Sequence, residues 1–110
     1  MDCIFCKIIA GQIPAKVRYE DEFFVVFEDI NPQARVHCLA VPKGHYAQLK
    51  DMTKKDASDL SVIMSRIPKV AEEVLGLKNG YRLIINQGED AGQTVFHLHI
   101  HIIGGQKLPW

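Results

Sequence analysis

The spacing of hydrophobic positions changes several times along the 110-residue chain, and each change marks an element. In "CIFCKIIAG" apolar residues fall at 4, 5, 8 and 9, a helical interval, and Gly11 with Pro14 ends the run, which predicts a short helix. "KVRYED" (16–21) and "FFVVFED" (23–29) are rich in β-branched and aromatic residues and meet at Asp21-Glu22, a hairpin pattern followed by the turn Asp29-Ile30-Asn31-Pro32. "VHCLAVP" (36–42) predicts a third strand, closed by Pro42 and Lys43-Gly44. From Thr53 the period lengthens: Leu60, Ile63, Met64, Ile67, Val70, Ala71 and Val74 lie three or four apart, opposite Lys55, Asp59, Arg66 and Glu73. Thr53 with Asp56 forms a capping-box pattern, Gly76 a stop, and Pro68 predicts a kink. Asn79-Gly80 turns the chain into "YRLIINQ" (81–87), and the loop "GEDAGQ" (88–93) returns it through "TVFHLHIHII" (94–103) as a second hairpin. The expectation is one α+β domain over 1–110. Its antiparallel sheet has about five strands, one long helix covers a face of the sheet, and a short helix lies at the N-terminus.

Charge narrows the partners. Lysine plus arginine equals aspartate plus glutamate, 13 against 13, without a long block of one sign, so neither nucleic acid nor an anionic membrane surface is an expected partner. The N-terminal residues lack the basic leader and apolar run of a secretion signal, and no apolar stretch is long enough to span a bilayer, which predicts a cytoplasmic protein. Three cysteines are an odd count for a disulfide framework, so Cys3, Cys6 and Cys38 are expected to be reduced. The Cys3-x-x-Cys6 pair then points to metal or redox chemistry, redox being the weaker because no thioredoxin-like strand precedes it. Cys38 reads as a small core residue.

The densest chemistry lies in "FHLHIHII" (96–103), where His97, His99 and His101 alternate with Leu98, Ile100 and Ile102. On a regular strand the three imidazoles share a face at steps of about 6.6–6.8 Å. Two uses fit. Neutral imidazoles can ligate zinc, copper, iron or nickel, although no acidic residue accompanies them on this strand. Alternatively one imidazole is a nucleophile, since its reference pKa of about 6.5 leaves it largely unprotonated at neutral pH and its neighbours resist joint protonation. Phosphorus is the preferred electrophile, because a labile phospho-histidine divides one displacement into two. No GxxxxGK[ST] loop is present to handle a triphosphate.

"His97-Leu98-His99-Ile100-His101-Ile102-Ile103" resembles the His-x-His-x-His-x-x signature of the histidine-triad (HIT) family. The likeness extends through "IFCKIIAGQIPAKVRYED", "FEDINPQARVHCLAVPKGH" and "GGQKLPW". The compact chain and its Trp-ended tail are most similar to the Hint branch of homodimeric purine nucleoside phosphoramidases. The resemblance implies a HIT-like fold and makes His99 the nucleophile toward the α-phosphorus. His97, His101 and His45 of "PKGH" would serve as orienting or proton-shuttling partners. It places Asp29 at the ribose diol, Phe5, Ile8, Phe27 and Ile30 around the purine, and Asn86, Gly92, Gln93 and Thr94 beside the phosphate. In a regular strand Thr94 would face away from His97, so either the strand begins after it or that contact is absent. Relatives with this N-terminal "CIFCKII" imply a structural zinc on Cys3, Cys6, His45 and His97, with no metal at the reacting phosphorus. Two further readings stay open: a non-catalytic nucleotide-binding or scaffolding module, and a dinucleoside polyphosphate hydrolase or a metal-dependent hydrolase or oxygenase using the same row.

Overall fold

The computed structural model describes residues 3–110. Helix α1 spans Ile4–Ile9; strands β1, β2 and β3 span Val17–Glu20, Phe24–Glu28 and Val36–Pro42; helix α2 spans Lys54–Lys69; β4 and β5 span Tyr81–Ile84 and Ile100–Gly104. The strands form one antiparallel sheet in the order β1-β2-β3-β5-β4. The predicted α+β architecture is therefore present, with one long helix and a short one near the N-terminus.

Both faces of the central strands are covered, and this explains why "FVVF" in β2 is continuously apolar and fully buried. Phe24, Val26, Cys38, Ala40, Ile100 and Ile102 pack under α2, against Leu60, Ile63 and Ile67. Ile63 and Ile67 have no exposed surface, each burial stabilising by about 1.5–3 kcal/mol. Val25, Phe27, Leu39 and Val41 face the opposite way and meet Cys3 and Phe5, with Ile8 partly buried beside them. The smaller helix thus closes the face that α2 leaves open.

The capping box is formed: Thr53 Oγ1 accepts from the Asp56 N–H at 3.1 Å, and Asp56 Oδ2 accepts from the Thr53 N–H at 3.0 Å. At Pro68 the helix runs on to Lys69 and then widens into a π turn over Val70–Val74. Leu75 N–H closes that turn on the Val70 carbonyl, and Gly76 ends it at φ +73°.

The last hairpin departs from expectation. β4 stops at Ile84 rather than Gln87, and β5 begins at Ile100 rather than Thr94. Residues 94–99 are drawn away from β4 by other partners. The Leu98 N–H donates to the Tyr46 carbonyl at 2.7 Å, and the His97 carbonyl accepts from the His99 ring. Among the described residues, no helix is long and apolar enough to cross a membrane.

Candidate functional site

The histidines do not form a uniform row. His97 lies before β5, has no exposed surface, and its Nε2 sits 2.7 Å from the Pro42 carbonyl. A carbonyl only accepts, so the ring proton is on Nε2 and the Nδ1 lone pair points away from it. Toward that lone pair converge Cys3 Sγ at 3.4 Å, Cys6 Sγ at 3.6 Å and His45 Nδ1 at 3.1 Å; His45 Nδ1 is itself 3.4 Å from Cys6 Sγ. Tetrahedral zinc with bonds of about 2.0–2.1 Å to nitrogen and 2.3 Å to sulfur would set N···N near 3.3 Å and N···S near 3.6 Å. The four separations just given lie near those values, and all four donor atoms are within 4.8 Å of one another. Burial, and then the adjacent Cys3 sulfur, push the Cys6 thiol above its ordinary pKa, a situation that a bound cation would reverse. Cys38 is not part of this group: it lies under α2 with its thiol pushed up to about 11 by burial.

His99 is oriented differently. Its Nδ1 donates to the His97 carbonyl at 2.8 Å, which leaves Nε2 as the unprotonated nitrogen. Phe5 packs edge-on against this ring with centroids 5.1 Å apart.

His101, on β5, meets a residue to which the sequence assigned no role. His37 Nδ1 accepts from the Gln33 N–H at 3.0 Å, so neutral His37 carries its proton on Nε2 and gives it to His101 Nδ1 at 2.9 Å. His101 then holds its own proton on Nε2. Burial first, then the neighbouring His99 and His37, lower the His101 pKa to about 4, while Asp29 opposes the shift. Asp29 Oδ2 lies 3.4 Å from His37 Nε2, and its Oδ1 accepts from the Asn31 N–H at 2.8 Å in an Asx turn. Asp29, His37 and His101 are also close enough to hold an ion, but His37 would then have to bind it as an imidazolate, because the Gln33 N–H already occupies Nδ1. This second cluster is joined by hydrogen bonds through His37. A signal for His37 existed in the strand pairing: Leu39 pairs with His101 and His37 with Ile103, so the two imidazoles are diagonal neighbours on one face.

A cavity of about 590 Å³ opens over this face. Of the expected nucleotide-side residues, Phe5, Ile8, Phe27, Asp29, Ile30, Thr94, His99 and His101 line it. Thr94 reaches it because the strand begins later, which removes the parity conflict. Ile4, Ile13, Pro14, Leu39 and Val95 extend the apolar wall, and Lys16 and Glu28 also line it; the sequence had marked Pro14 only as a helix stop. Asn86, Gly92 and Gln93 are not among the lining residues. Gln93 is buried, with Nε2 donating to the Ala47 and Val95 carbonyls and Oε1 accepting from the Gly88 N–H and the Gln48 amide. Its side chain is spent on holding the loop. A roomier hollow of about 670 Å³ lies between Gly76–Arg82 and Gly105–Leu108, but no histidine, cysteine or acid lines it.

The HIT domain model matches residues 10–108. A histidine triad protein from Clostridium difficile is 49% identical with a TM-score of 0.92, over 99% of this chain and 95% of that one. A HIT family hydrolase from Legionella pneumophila is 43% identical with a TM-score of 0.92, over 99% and 97%. A Zn-bound histidine triad family protein from Mycobacterium smegmatis is 38% identical with a TM-score of 0.81, over 100% and 81%.

Proposed function

The chain belongs to the HIT domain family, and from that premise we propose that it is a hydrolase of purine nucleoside 5′-monophosphoramidates and related acyl phosphates, working through a nucleotidyl-His99 intermediate. The observation that carries this reading is the fixed tautomer of His99, whose Nδ1–H is held by the His97 carbonyl and whose Nε2 is bare beside the cavity. The Nε2 lone pair attacks the α-phosphorus. The P–N bond breaks, and the leaving amine takes the proton that His37 keeps on His101 Nε2, while a proton from solvent in the open cavity replaces it so that neither ring becomes an imidazolate. Water then attacks the phosphorus, releases the nucleoside monophosphate and frees His99, returning one proton to solvent. The apolar wall of Phe5, Ile8, Phe27 and Ile30 takes the base, and Asp29 accepts from the ribose hydroxyls. Thr94 lies on the phosphate side; Asn86, Gly92 and Gln93 shape the loop that brings it there.

Zinc belongs to the fourfold group of Cys3, Cys6, His45 and His97, where the donor spacing supports it and where a Zn-bound family member is a precedent for the metal. There it would be a closed structural ion without an open position for substrate. His97, with one nitrogen on Pro42 and the other on the metal, takes no part in proton transfer. We assign the chain a cytoplasmic setting and a homodimeric state, the latter supported by the position of β4 at the edge of the sheet among the described residues and by the full exposure of Trp110. Sedimentation would show a dimer; a monomer at all concentrations would contradict it.

The deciding experiment is turnover of a fluorogenic adenosine phosphoramidate by the native chain and by His99→Ala. Turnover by the native chain alone is expected. Equal turnover would remove His99 from its role, and none in either would leave a nucleotide-binding module.

A further inference from the structure

We infer that the Cys3, Cys6, His45 and His97 centre and the nucleotide cavity are thermodynamically linked through α1, so that zinc and nucleotide each tighten the binding of the other. This inference rests on the nucleotide reading of the cavity.

The six residues of α1 serve both sites. Cys3 caps the helix, its Sγ accepting from the Cys6 N–H at 3.4 Å, and Cys6 lies within it; both sulfurs belong to the donor group. Ile4, Phe5 and Ile8, from the same turn and a half, line the cavity. A helix this short has no stability of its own in water, so its position depends on what holds its side chains. Phe5 is the physical link: it is buried, and its ring meets His97 at 5.9 Å, His99 at 5.1 Å and Phe27 at 5.6 Å. His97 adds a second link, offering Nδ1 to the donor group and its carbonyl to His99 Nδ1. An ion that draws the four donors together therefore seats the base wall and orients the nucleophile. A nucleotide that packs on Phe5 and Ile8 holds α1 where the sulfurs meet the imidazoles. Linkage makes the two effects equal.

The test uses the whole chain, with adenosine 5′-monophosphate as probe. Zinc affinity is measured by competition with a chromophoric chelator, with and without saturating nucleotide, and nucleotide affinity by calorimetry on zinc-loaded and metal-free protein. Both ratios are expected to agree at about tenfold, within the usual 5–150-fold range of such couplings. Hydrogen exchange should show the amides of residues 4–9 losing protection without metal, β2 and β3 keeping theirs, and the nucleotide restoring the former. Phe5→Ala keeps all four ligands but loosens α1, so zinc and nucleotide should each bind more weakly than to the native chain, and the ratio of either affinity with and without the other ligand should fall toward one.

Zinc affinity unaffected by a nucleotide that does bind would overturn the linkage while leaving the nucleotide reading intact. No nucleotide binding to zinc-loaded protein would overturn both. Loss of protection throughout β2 and β3 on metal removal would also overturn it, since the coupling would then be global folding rather than α1.

Discussion

Three imidazoles two residues apart received three different hydrogen-bond partners, and those partners decide what each can do. Alternation placed His97, His99 and His101 on one face; the Pro42 carbonyl, the His97 carbonyl and His37 then assigned their protons. Two of these partners, the Pro42 carbonyl and His37, cannot be read from local spacing, because they lie more than fifty residues away in sequence. His37 shows the limit most plainly, since its importance appears only when β3 is laid beside β5. Replacing it tests the relay. His37→Phe should lower kcat by about 10-fold to 100-fold, at most the lower part of what general acid catalysis contributes, with KM little changed. The loss should be greater for an alkylamine leaving group than for an arylamine, which needs less help from an acid. A uniform loss for both amines in steady-state kinetics would mean that His37 only packs. His37→Gln, which can still donate to His101, should recover part of the rate.

At the scale of elements, boundaries set by local chemistry were legible and those set by distant contacts were not. Thr53 and Asp56 satisfy each other within one turn, so the start of α2 could be read directly. The end of β4 and the start of β5 depend on Tyr46 capturing the Leu98 N–H and on Gln93 bridging two loops, and periodicity carries no trace of either. The first hairpin holds a similar long-range device. Asp21 Oδ1 accepts from the Phe23 and Phe24 N–H groups, and Oδ2 accepts from the Tyr19 hydroxyl and from Arg66 of α2 at 2.8 Å. Burial alone would raise this carboxyl, yet Arg66 and the donors around it bring it below its usual pKa. Asp21→Ala strands those donors and unhooks the hairpin from α2, so a loss of about 2 kcal/mol is expected in urea unfolding, within the range for an unsatisfied buried group. Arg66→Ala should cost less, because the hairpin N–H groups keep their acceptor. Gln93→Ala should leave the sheet standing, loosen residues 86–95 and raise KM several-fold, while a change in global stability alone would reduce Gln93 to packing.

For the whole molecule, imidazoles buried beside one another make stability depend on acidity. His101 has a folded pKa of about 4, below the ordinary value, and burial likewise lowers His37 against the pull of Asp29. Between about pH 6.5 and pH 4 the unfolded chain therefore binds protons that the folded chain refuses, and each step toward acid favours unfolding. The contribution is fully present above the unfolded pKa and is lost as pH falls through this window. The groups facing His101 are His99, His37 and Asp29, and of these Asp29 alone opposes the shift. Asp21 pushes in the same direction, since its folded pKa is depressed, but its loss comes lower, as pH falls below the usual carboxylate range. The urea midpoint of the native chain should therefore drop between pH 7 and pH 5, before carboxylates protonate. His101→Asn keeps a polar partner for His37 and removes the titration, so its midpoint should fall less steeply over the same interval. Any release of zinc in acid is common to both proteins and cancels from the comparison. Parallel slopes would show that His101 is not held neutral by its surroundings, and would remove the basis for giving it the proton that the leaving group takes.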